Sequence, residues 1–460
     1  MSLNESKKSR PSAALLIGGL LVVCVGLLMG LRDSSKDSQE APIDMKHPPS
    51  SSPPLPAIVR QIVPHLRSNP ESAEAIVARK LTRFSQKQRR IFEAMAAKHG
   101  VAVPDAVKKF FDAIEAGHWD EAQAIYKTLR DSKNSDGSQS GDIGPFWRSI
   151  QDTWGAAMMA QRMPAQEYLD YGNGILGSLK PGMIYVGGTD PGMFIPNMLN
   201  ATSDGEQHIV LTQNALADAS YLDYLNELYG NQLNTLTVED EQQAFEDYLQ
   251  DAQTRLLHDQ QFPDDPRQMR PGEEISVQDG NASVSSQVGV MAINEILLQT
   301  LMQNNPGVSF GLEESYPLKS TYPDAVPLGP IMQLGAPGDP GAFSADTAAQ
   351  TVSYWQNTEQ QLLANPEATA SSDTLLTYAH DAVAQANLLA AHDYSAEAEQ
   401  AYGVASQLAP GSFEAVAGLA TVLYQTGQVN QAIQILNDFA QNNPSQQAAV
   451  DLQRSYLTSK

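Results

Sequence analysis

Residues 183–192 read Met-Ile-Tyr-Val-Gly-Gly-Thr-Asp-Pro-Gly, a short apolar run that glycines close before an apolar helical stretch begins. This order is typical of a buried strand, a tight turn and a helix. Two more short apolar runs follow at 208–212 and 309–312. Helical patterns separate the three runs, near 215–229, 240–258 and 288–304. The alternation predicts an α/β domain over 145–340, with a parallel or mixed sheet and flanking helices.

Two other stretches of this region lack a strong strand pattern. The polar residues 259–282 predict a loop, with a hairpin at 275–284. Pro and Gly residues cluster between 323 and 341. Because both residue types interrupt regular structure, we expect the domain to end there.

Residues 345–460 are helical in pattern and contain a 34-residue repeat. Asp393 and Gly427 occupy its matching turn position. A period of 34 residues is that of tetratricopeptide repeats. In such repeats, small residues let the paired helices touch, and large residues fill the groove between them. We therefore predict all-α tetratricopeptide-type helices over 345–460. The predicted packing positions, in two sets, are Ala386, Leu389, Ala398, Tyr402 and Pro410, then Ala420, Leu423, Ala432, Leu436 and Pro444.

The N-terminal part carries one uncharged apolar stretch, residues 13–31. At about 1.5 Å per residue it just covers a hydrocarbon core of roughly 30 Å, so it predicts a transmembrane helix. Lys7, Lys8 and Arg10 precede it, which places residues 1–12 in the cytoplasm and the rest outside. The alternative is a cleaved signal peptide. Ser- and Pro-rich residues 32–56 predict a tether, and residues 57–135 a helical region.

The charge of the chain is strongly uneven. Residues 1–130 hold 19 basic and 13 acidic residues, whereas the remainder holds 10 and 40, and no Lys or Arg occurs between Lys319 and Arg454. Such an acidic surface repels nucleic acid, which we exclude as a partner. Two interpretations stay open, namely solubility and a surface for basic partners or cations.

Polar residues directly follow each predicted strand. Asp190 follows the first, Asn214 the second, and Glu313, Glu314 and Tyr316 the third. If the strands are parallel neighbours, these side chains share the rim where open sheets bind ligands, and could hold a cation, a sugar hydroxyl or an amine. The alternative is structural, with Asp190 and Asn214 capping the following helices.

The glycine turn offers backbone N–H groups of Gly187, Gly188 and Thr189 to an anion. It lacks the Lys-Ser/Thr pair and the third glycine of nucleotide-binding loops. The eight histidines are scattered, and the sole cysteine, Cys24, lies in the predicted span. We therefore predict no catalytic residue, no metal site and no cofactor.

Four segments carry a resemblance: 185–192, 211–218 with Tyr221, 290–294 and 313–316. Together they resemble the extracytoplasmic part of large bacterial membrane proteins related to protein O-mannosyltransferases, over residues 145–455. In those proteins the catalytic carboxylate would lie in a polytopic membrane domain, whereas this sequence predicts one span. The resemblance therefore implies the soluble module alone, with a sugar- or acceptor-binding rim at Asp190, Asn214 and Glu314.

These patterns lead to three hypotheses on function. The first is a single-pass inner-membrane protein, periplasmic in its folded part, whose helical repeats form an interaction scaffold for a protein or peptide. The second is a non-catalytic accessory of cell-envelope glycan assembly that binds a glycan or lipid-linked substrate. The third is a carboxylate-dependent hydrolase or transferase.

Overall fold

The computed structural model describes residues 71–131, 144–265, 267–270, 273, 275–278, 281–284, 287–314, 321–334 and 343–458. The predicted cytoplasmic segment, span and tether (1–12, 13–31 and 32–56) lie outside these residues. Among the helices that are described, none combines the length and the apolar character needed to cross a bilayer. The domain boundaries given above stay predictions.

Within the described residues, five α-helices precede the sheet. The first three are α1 (Ala73–Lys98), α2 (Asp105–Glu115) and α3 (Trp119–Asp131), followed by α4 (Trp147–Arg162) and α5 (Ala165–Ser178). The Ser72 hydroxyl accepts a hydrogen bond from Ala75 N at the start of α1, and Gly100 follows its end at φ 68°. Aromatic rings of Phe92, Phe111 and Phe146 pack edge-on and join α1 to the next helices.

The central sheet is mixed, as predicted. Strands β1 (Ile184–Gly187), β2 (Ile209–Thr212) and β5 (Phe310–Leu312) are parallel, in the order β2-β1-β5. All three predicted strands are confirmed. The predicted helices between them are α6 (Asp190–Ala201), α7 (Ala219–Tyr229), α8 (Val238–Gln261) and α9 (Gln287–Asn304).

Two hairpins complete the strands. The predicted one is confirmed as the separate antiparallel pair β3 (Ile275–Gln278) and β4 (Asn281–Val284). The second hairpin, which the sequence analysis did not predict, lies among the Pro and Gly residues. Its strand β7 (Ile331–Leu334) pairs antiparallel with β5, and β6 (Ala325–Leu328) pairs antiparallel with β7.

The residues that suggested a loop are compatible with this second hairpin. Gly329 supplies the left-handed turn at φ 61°. Pro327 lies in β6, the edge strand, where a missing N–H breaks no essential ladder bond.

The C-terminal part is entirely helical among its described residues: α10 (Ala345–Ala364), α11 (Pro366–Ala370), α12 (Ser372–Ala391), α13 (Ser395–Leu408), α14 (Phe413–Gln425), α15 (Val429–Asn442) and α16 (Gln447–Thr458). The helix pairs α12–α13 and α14–α15 are the two predicted repeats. The eight apolar packing residues are all buried, whereas Pro410 and Pro444 are exposed in the connections after α13 and α15.

The repeats do not stand apart from the sheet. Helix α12 packs against β6, β7 and the short turn at 322–324. His392 Nε2 lies 2.9 Å from the Tyr322 carbonyl oxygen. Buried residues from Val77 to Val422 form one continuous core, so the first repeat helix is fixed against the sheet.

The matched turn residues generate a paired prediction. Asp393 has φ 64° and Gly427 has φ 84°, and a Cβ at Gly427 would contact nothing within 4 Å. Because left-handed backbone is strained for residues with a Cβ, Asp393→Gly should raise the free energy of unfolding by about 0.5 kcal/mol, and Gly427→Ala should lower it by about 1 kcal/mol. Urea denaturation measures both changes in the free energy of unfolding. Two changes of the same sign would contradict the left-handed backbone assigned to both turn positions.

Candidate functional site

The site begins where β1 and β5 end side by side. Val186 of β1 pairs with Leu312 of β5, and the Glu313 N–H donates to the Val186 carbonyl oxygen at 3.0 Å. The residues after both strands therefore meet at one edge of the sheet. Glu313 and Glu314 follow β5, and the glycine turn with Thr189 follows β1.

Glu313 places its carboxylate inside the glycine turn. Its Oε2 accepts hydrogen bonds from Gly188 N (2.7 Å) and Thr189 N (3.0 Å). Its Oε1 accepts from the Thr189 hydroxyl and from the Tyr171 hydroxyl, the latter at 3.3 Å. The anion held by this loop is thus the protein's own. This corrects the prediction for Gly188 and Thr189, whose N–H groups are not free to bind an external anion. For Gly187, the last residue of β1, it stays a prediction.

The glycines of the turn leave the space that this carboxylate needs. A Cβ on Gly192 would lie 1.8 Å from Glu313 Oε2, and one on Gly188 would lie 2.8 Å from Glu314 Cγ. A Cβ on Gly187 would lie 2.4 Å from the Gly192 carbonyl oxygen. The glycine-rich motif and the Glu-Glu pair, 125 residues apart, are therefore parts of one interlocked structure.

Burial determines the protonation of Glu313. The side chain is fully buried, and burial together with the neighbouring Glu314 carboxylate raises its pKa to about 7. The Thr189 and Gly188 donors oppose this shift without cancelling it. The Glu313 carboxyl group therefore titrates near neutral pH, whereas an exposed glutamate titrates at a much lower pH.

The other two described rim residues, Asn214 and Asp190, have different surroundings. Asn214 Nδ2 donates to the Gly188 carbonyl oxygen at 2.9 Å, so this side chain braces the turn. Asp190 is the first residue of α6, and the cap itself is Thr189, whose hydroxyl oxygen accepts from Gly192 N at 3.1 Å. Burial raises the pKa of Asp190, while Arg162 and Arg148 lower it. Tyr316 lies outside the described residues.

Repeat helix α12 contributes a histidine that sequence analysis set aside. His380 Nε2 lies 2.5 Å from Glu314 Oε2, and its Nδ1 lies 3.3 Å from Glu414 Oε2 of α14. Burial lowers the pKa of His380, but the Glu314 and Glu414 carboxylates outweigh it and raise the pKa well above its ordinary value. His380 is therefore an imidazolium that joins both repeats to the sheet.

Asp381 is the second group that sequence analysis missed. Its side chain is 1% exposed, and neither carboxylate oxygen has a hydrogen bond of good geometry within the described part of the chain. Burial and the Glu313 charge raise its pKa well above the ordinary range, while His380 and the Tyr171 hydroxyl act in the opposite direction. Glu313, Glu314 and Asp381 thus form a cluster of three neighbouring carboxyl groups, here named the carboxyl cluster.

One sequence signal could have indicated these residues. On α12, Asp381 and Gln385 are four residues apart and lie among alanines and leucines, on a face where a repeat helix is normally apolar. The pattern marks a buried polar contact, but it does not name the partner. The neighbouring His380 contacts Glu314, which lies at a strand end more than sixty residues away and which only the fold brings near.

No group of three or more His, Cys, Asp or Glu side chains within the described residues has a geometry suited to a metal ion.

Comparison with known proteins identifies the repeats. The family model of the tetratricopeptide repeat matches residues 388–455, from the end of α12 into α16. No curated protein and no solved structure matches the chain. The predicted repeat region is confirmed, and this part of the chain is a protein-interaction module, since stacked helices of this family present binding surfaces to other proteins.

The turn generates the next prediction. Gly192→Ala should lower the free energy of unfolding by about 2 kcal/mol or more, because the new methyl group collides with the Glu313 carboxylate. Gly174→Ala is the matched control, since its Cβ meets nothing within 4 Å and it lies within α5. It should stabilise by about 0.5–1 kcal/mol. Urea denaturation of both variants measures these changes in the free energy of unfolding. Similar changes in the two variants would contradict the close packing of the glycine turn around Glu313.

Proposed function

We propose that this protein is a single-pass, membrane-anchored scaffold whose helical repeats bind a protein or peptide partner outside the cytoplasm. The match of residues 388–455 to tetratricopeptide repeats is the observation that carries the proposal. The anchor and the outward orientation rest on residues 13–31 and the preceding Lys7, Lys8 and Arg10. The location proposed with them is the inner membrane, with the folded part in the periplasm.

The last helix supports a partner at the end of the repeats. Ala448, Leu452 and Tyr456 are spaced four residues apart on one face of α16, and all three are exposed. Leu452 is 73% exposed, the largest value among the exposed large apolar residues of the described chain. An exposed apolar stripe on a surface helix favours contact with another protein.

The acidic surface supports a partner of basic character. Helices α10 to α15 contain no Lys or Arg. A surface of one sign attracts partners of the other sign and repels those of its own.

The second hypothesis, a glycan- or lipid-linked-substrate accessory related to the O-mannosyltransferase-like proteins, rests on the resemblance alone. In its predicted rim, Asn214 already braces the glycine turn, and the charges acting on Asp190 are those of arginines. The catalytic hypothesis gains no substrate or reaction from this geometry.

The orientation can be tested with the cysteine content of the chain. Cys24 is the only cysteine, so Cys24→Ala gives a cysteine-free background. On that background a membrane-impermeant maleimide should label Ser38→Cys in intact spheroplasts, and should label Ser6→Cys only after lysis. Carbonate extraction should leave both variants in the membrane. The reverse labelling, or a chain recovered in the soluble fraction, would refute the anchored orientation.

The partner can be tested by site-specific photo-crosslinking in membranes. A photoreactive residue at Leu452 should give one reproducible adduct with an identifiable protein, and Tyr456→Asp should weaken it at least fivefold, because a charge interrupts the apolar stripe. Leu363, an exposed leucine on α10 that is 45% accessible, is the matched control and should give none. Equal adducts at both positions, or none at Leu452, would contradict the proposal.

A further inference from the structure

We propose that one side of helix α1 binds the phosphate groups of anionic lipids at the membrane surface. This side, here named the basic face, consists of Arg79, Lys80, Arg83, Lys87 and Arg90. Lipid binding by the basic face goes beyond the proposed function, of which it uses only the membrane anchor.

The charges of α1 differ from those of the rest of the chain. The helix contains seven Lys or Arg residues and two Glu, whereas the whole chain holds 29 basic and 53 acidic residues. Arg79, Arg83, Lys87 and Arg90 follow one another at spacings of four, four and three residues, so they share one side of the helix. Lys80 lies two turns before Lys87, beside the same side.

The two remaining basic residues of α1 have acidic partners in other elements. Arg89 pairs with Asp112 at 2.6 Å and with Glu115 at 3.0 Å, both on α2. Lys98 pairs with Glu227 of α7 at 2.6 Å. These ion pairs separate both residues from the basic face.

The lysines of the basic face are held by neutral acceptors. Lys80 Nζ donates to the Thr202 carbonyl oxygen at 3.2 Å, and Lys87 Nζ donates to the Ala201 carbonyl oxygen at 3.5 Å. Both carbonyl groups lie at the end of α6 and carry only a partial negative charge. The two ammonium groups are therefore fixed in place without being neutralised.

The cations of the basic face also repel one another. Burial lowers the pKa of Lys87, and the charge of Arg90 lowers it further. Burial lowers the pKa of Lys80 as well, with Arg79 and Arg83 adding to the shift and Asp204 opposing it. An anion bound across the face would relieve this repulsion.

The carboxylates beside the arginines are exposed and weakly held. Arg79 pairs with Glu71 at 2.9 Å, where both side chains are more than two-fifths exposed. Arg83 lies 3.9 Å from Asp204, whose side chain is 98% exposed. Arg90 is exposed, one turn before the exposed Glu93. Because exposed ion pairs contribute little free energy, phosphate can replace these carboxylates.

The position of α1 in the chain favours lipid as the source of the phosphate. The predicted span ends at residue 31, and α1, which begins at Ala73, is the first described element after it. Clusters of Lys and Arg near a membrane anchor attract anionic headgroups, and the planar guanidinium group binds phosphate through two hydrogen bonds. The acidic repeats are repelled by the same lipids, so the charges of the chain turn α1 toward the membrane and the repeats away.

The contact can be measured with one fluorophore on the Cys24→Ala background. Gln86→Cys is the labelling site, because Gln86 is exposed and lies between Arg83 and Arg90. The full chain is reconstituted into phosphatidylcholine vesicles that contain a lipid with a spin-labelled headgroup as quencher, with or without one third phosphatidylglycerol. Quenching should be about threefold stronger with phosphatidylglycerol. It should fall to the neutral-lipid level at about 1 M salt, where the Debye length is about 3 Å.

A matched label and two charge variants control for other causes. Gln360→Cys, at an exposed position of α10, should be quenched equally in both lipids. Arg83→Gln combined with Arg90→Gln should abolish the extra quenching, and the fold should persist because both side chains are exposed. Lys109→Gln combined with Lys127→Gln removes the same charge from exposed positions of α2 and α3 and should leave the quenching unchanged.

Flotation of the same vesicles separates the lipid contact from the anchor. A chain that floats with neutral vesicles, but whose label is quenched equally in both lipids, keeps the anchor and overturns the lipid contact. Equal quenching is also expected if the acidic repeats of a second copy cover the basic face. Equal losses in the two double variants overturn the contact too, since total charge would then explain it.

The opposite result is equally distinct. A chain that does not float with neutral vesicles refutes the anchor. If that chain floats with phosphatidylglycerol vesicles at low salt, and the double variant of Arg83 and Arg90 does not, the lipid contact stands without the anchor. Flotation with neither kind of vesicle refutes both.

Discussion

The site depends on the hydrogen bonds that the Glu313 carboxylate accepts from the N–H groups of Gly188 and Thr189. It joins the ends of β1 and β5, and it fills the space that Gly192 leaves free. Helix N-termini and glycine turns commonly bind anionic ligands. Here the carboxylate belongs to the chain itself, so the turn is a structural joint between the two strand ends.

That joint fixes the geometry of the repeats as well. Glu314 follows Glu313 directly, and through His380 it reaches α12 and then Glu414 of α14. The inner polar face of the first repeat therefore contacts the sheet inside the molecule. The surface that the repeats can offer to a partner protein is smaller as a result. The exposed apolar stripe of α16 and the acidic surface of helices α10 to α15 remain available to a partner.

These two surfaces suit one kind of partner. The apolar stripe provides area for apolar contacts with a partner, whereas the acidic surface favours a basic side chain over a neutral one.

The sequence alone determined the elements whose signal is local. Three strands, the helices between them, the first hairpin and the 34-residue repeat follow from hydrophobic period and turn residues, because neighbouring positions carry that information. The hairpin β6–β7 was missed because Pro327 and Gly329 interrupt regular structure in most contexts, and only the sheet order shows that β6 is an edge strand.

The site was decided by tertiary structure. Glu313, Glu314 and Asn214 could be anticipated as neighbours, since parallel strands align their ends. His380 and Asp381 could not, because nothing in a repeat helix encodes which distant strand end it will meet. Burial raises the pKa of Asp381, and the Glu314 and Glu414 carboxylates raise that of His380. Both causes exist only after α12 has packed on the sheet, since they belong to the folded surroundings and not to the residue.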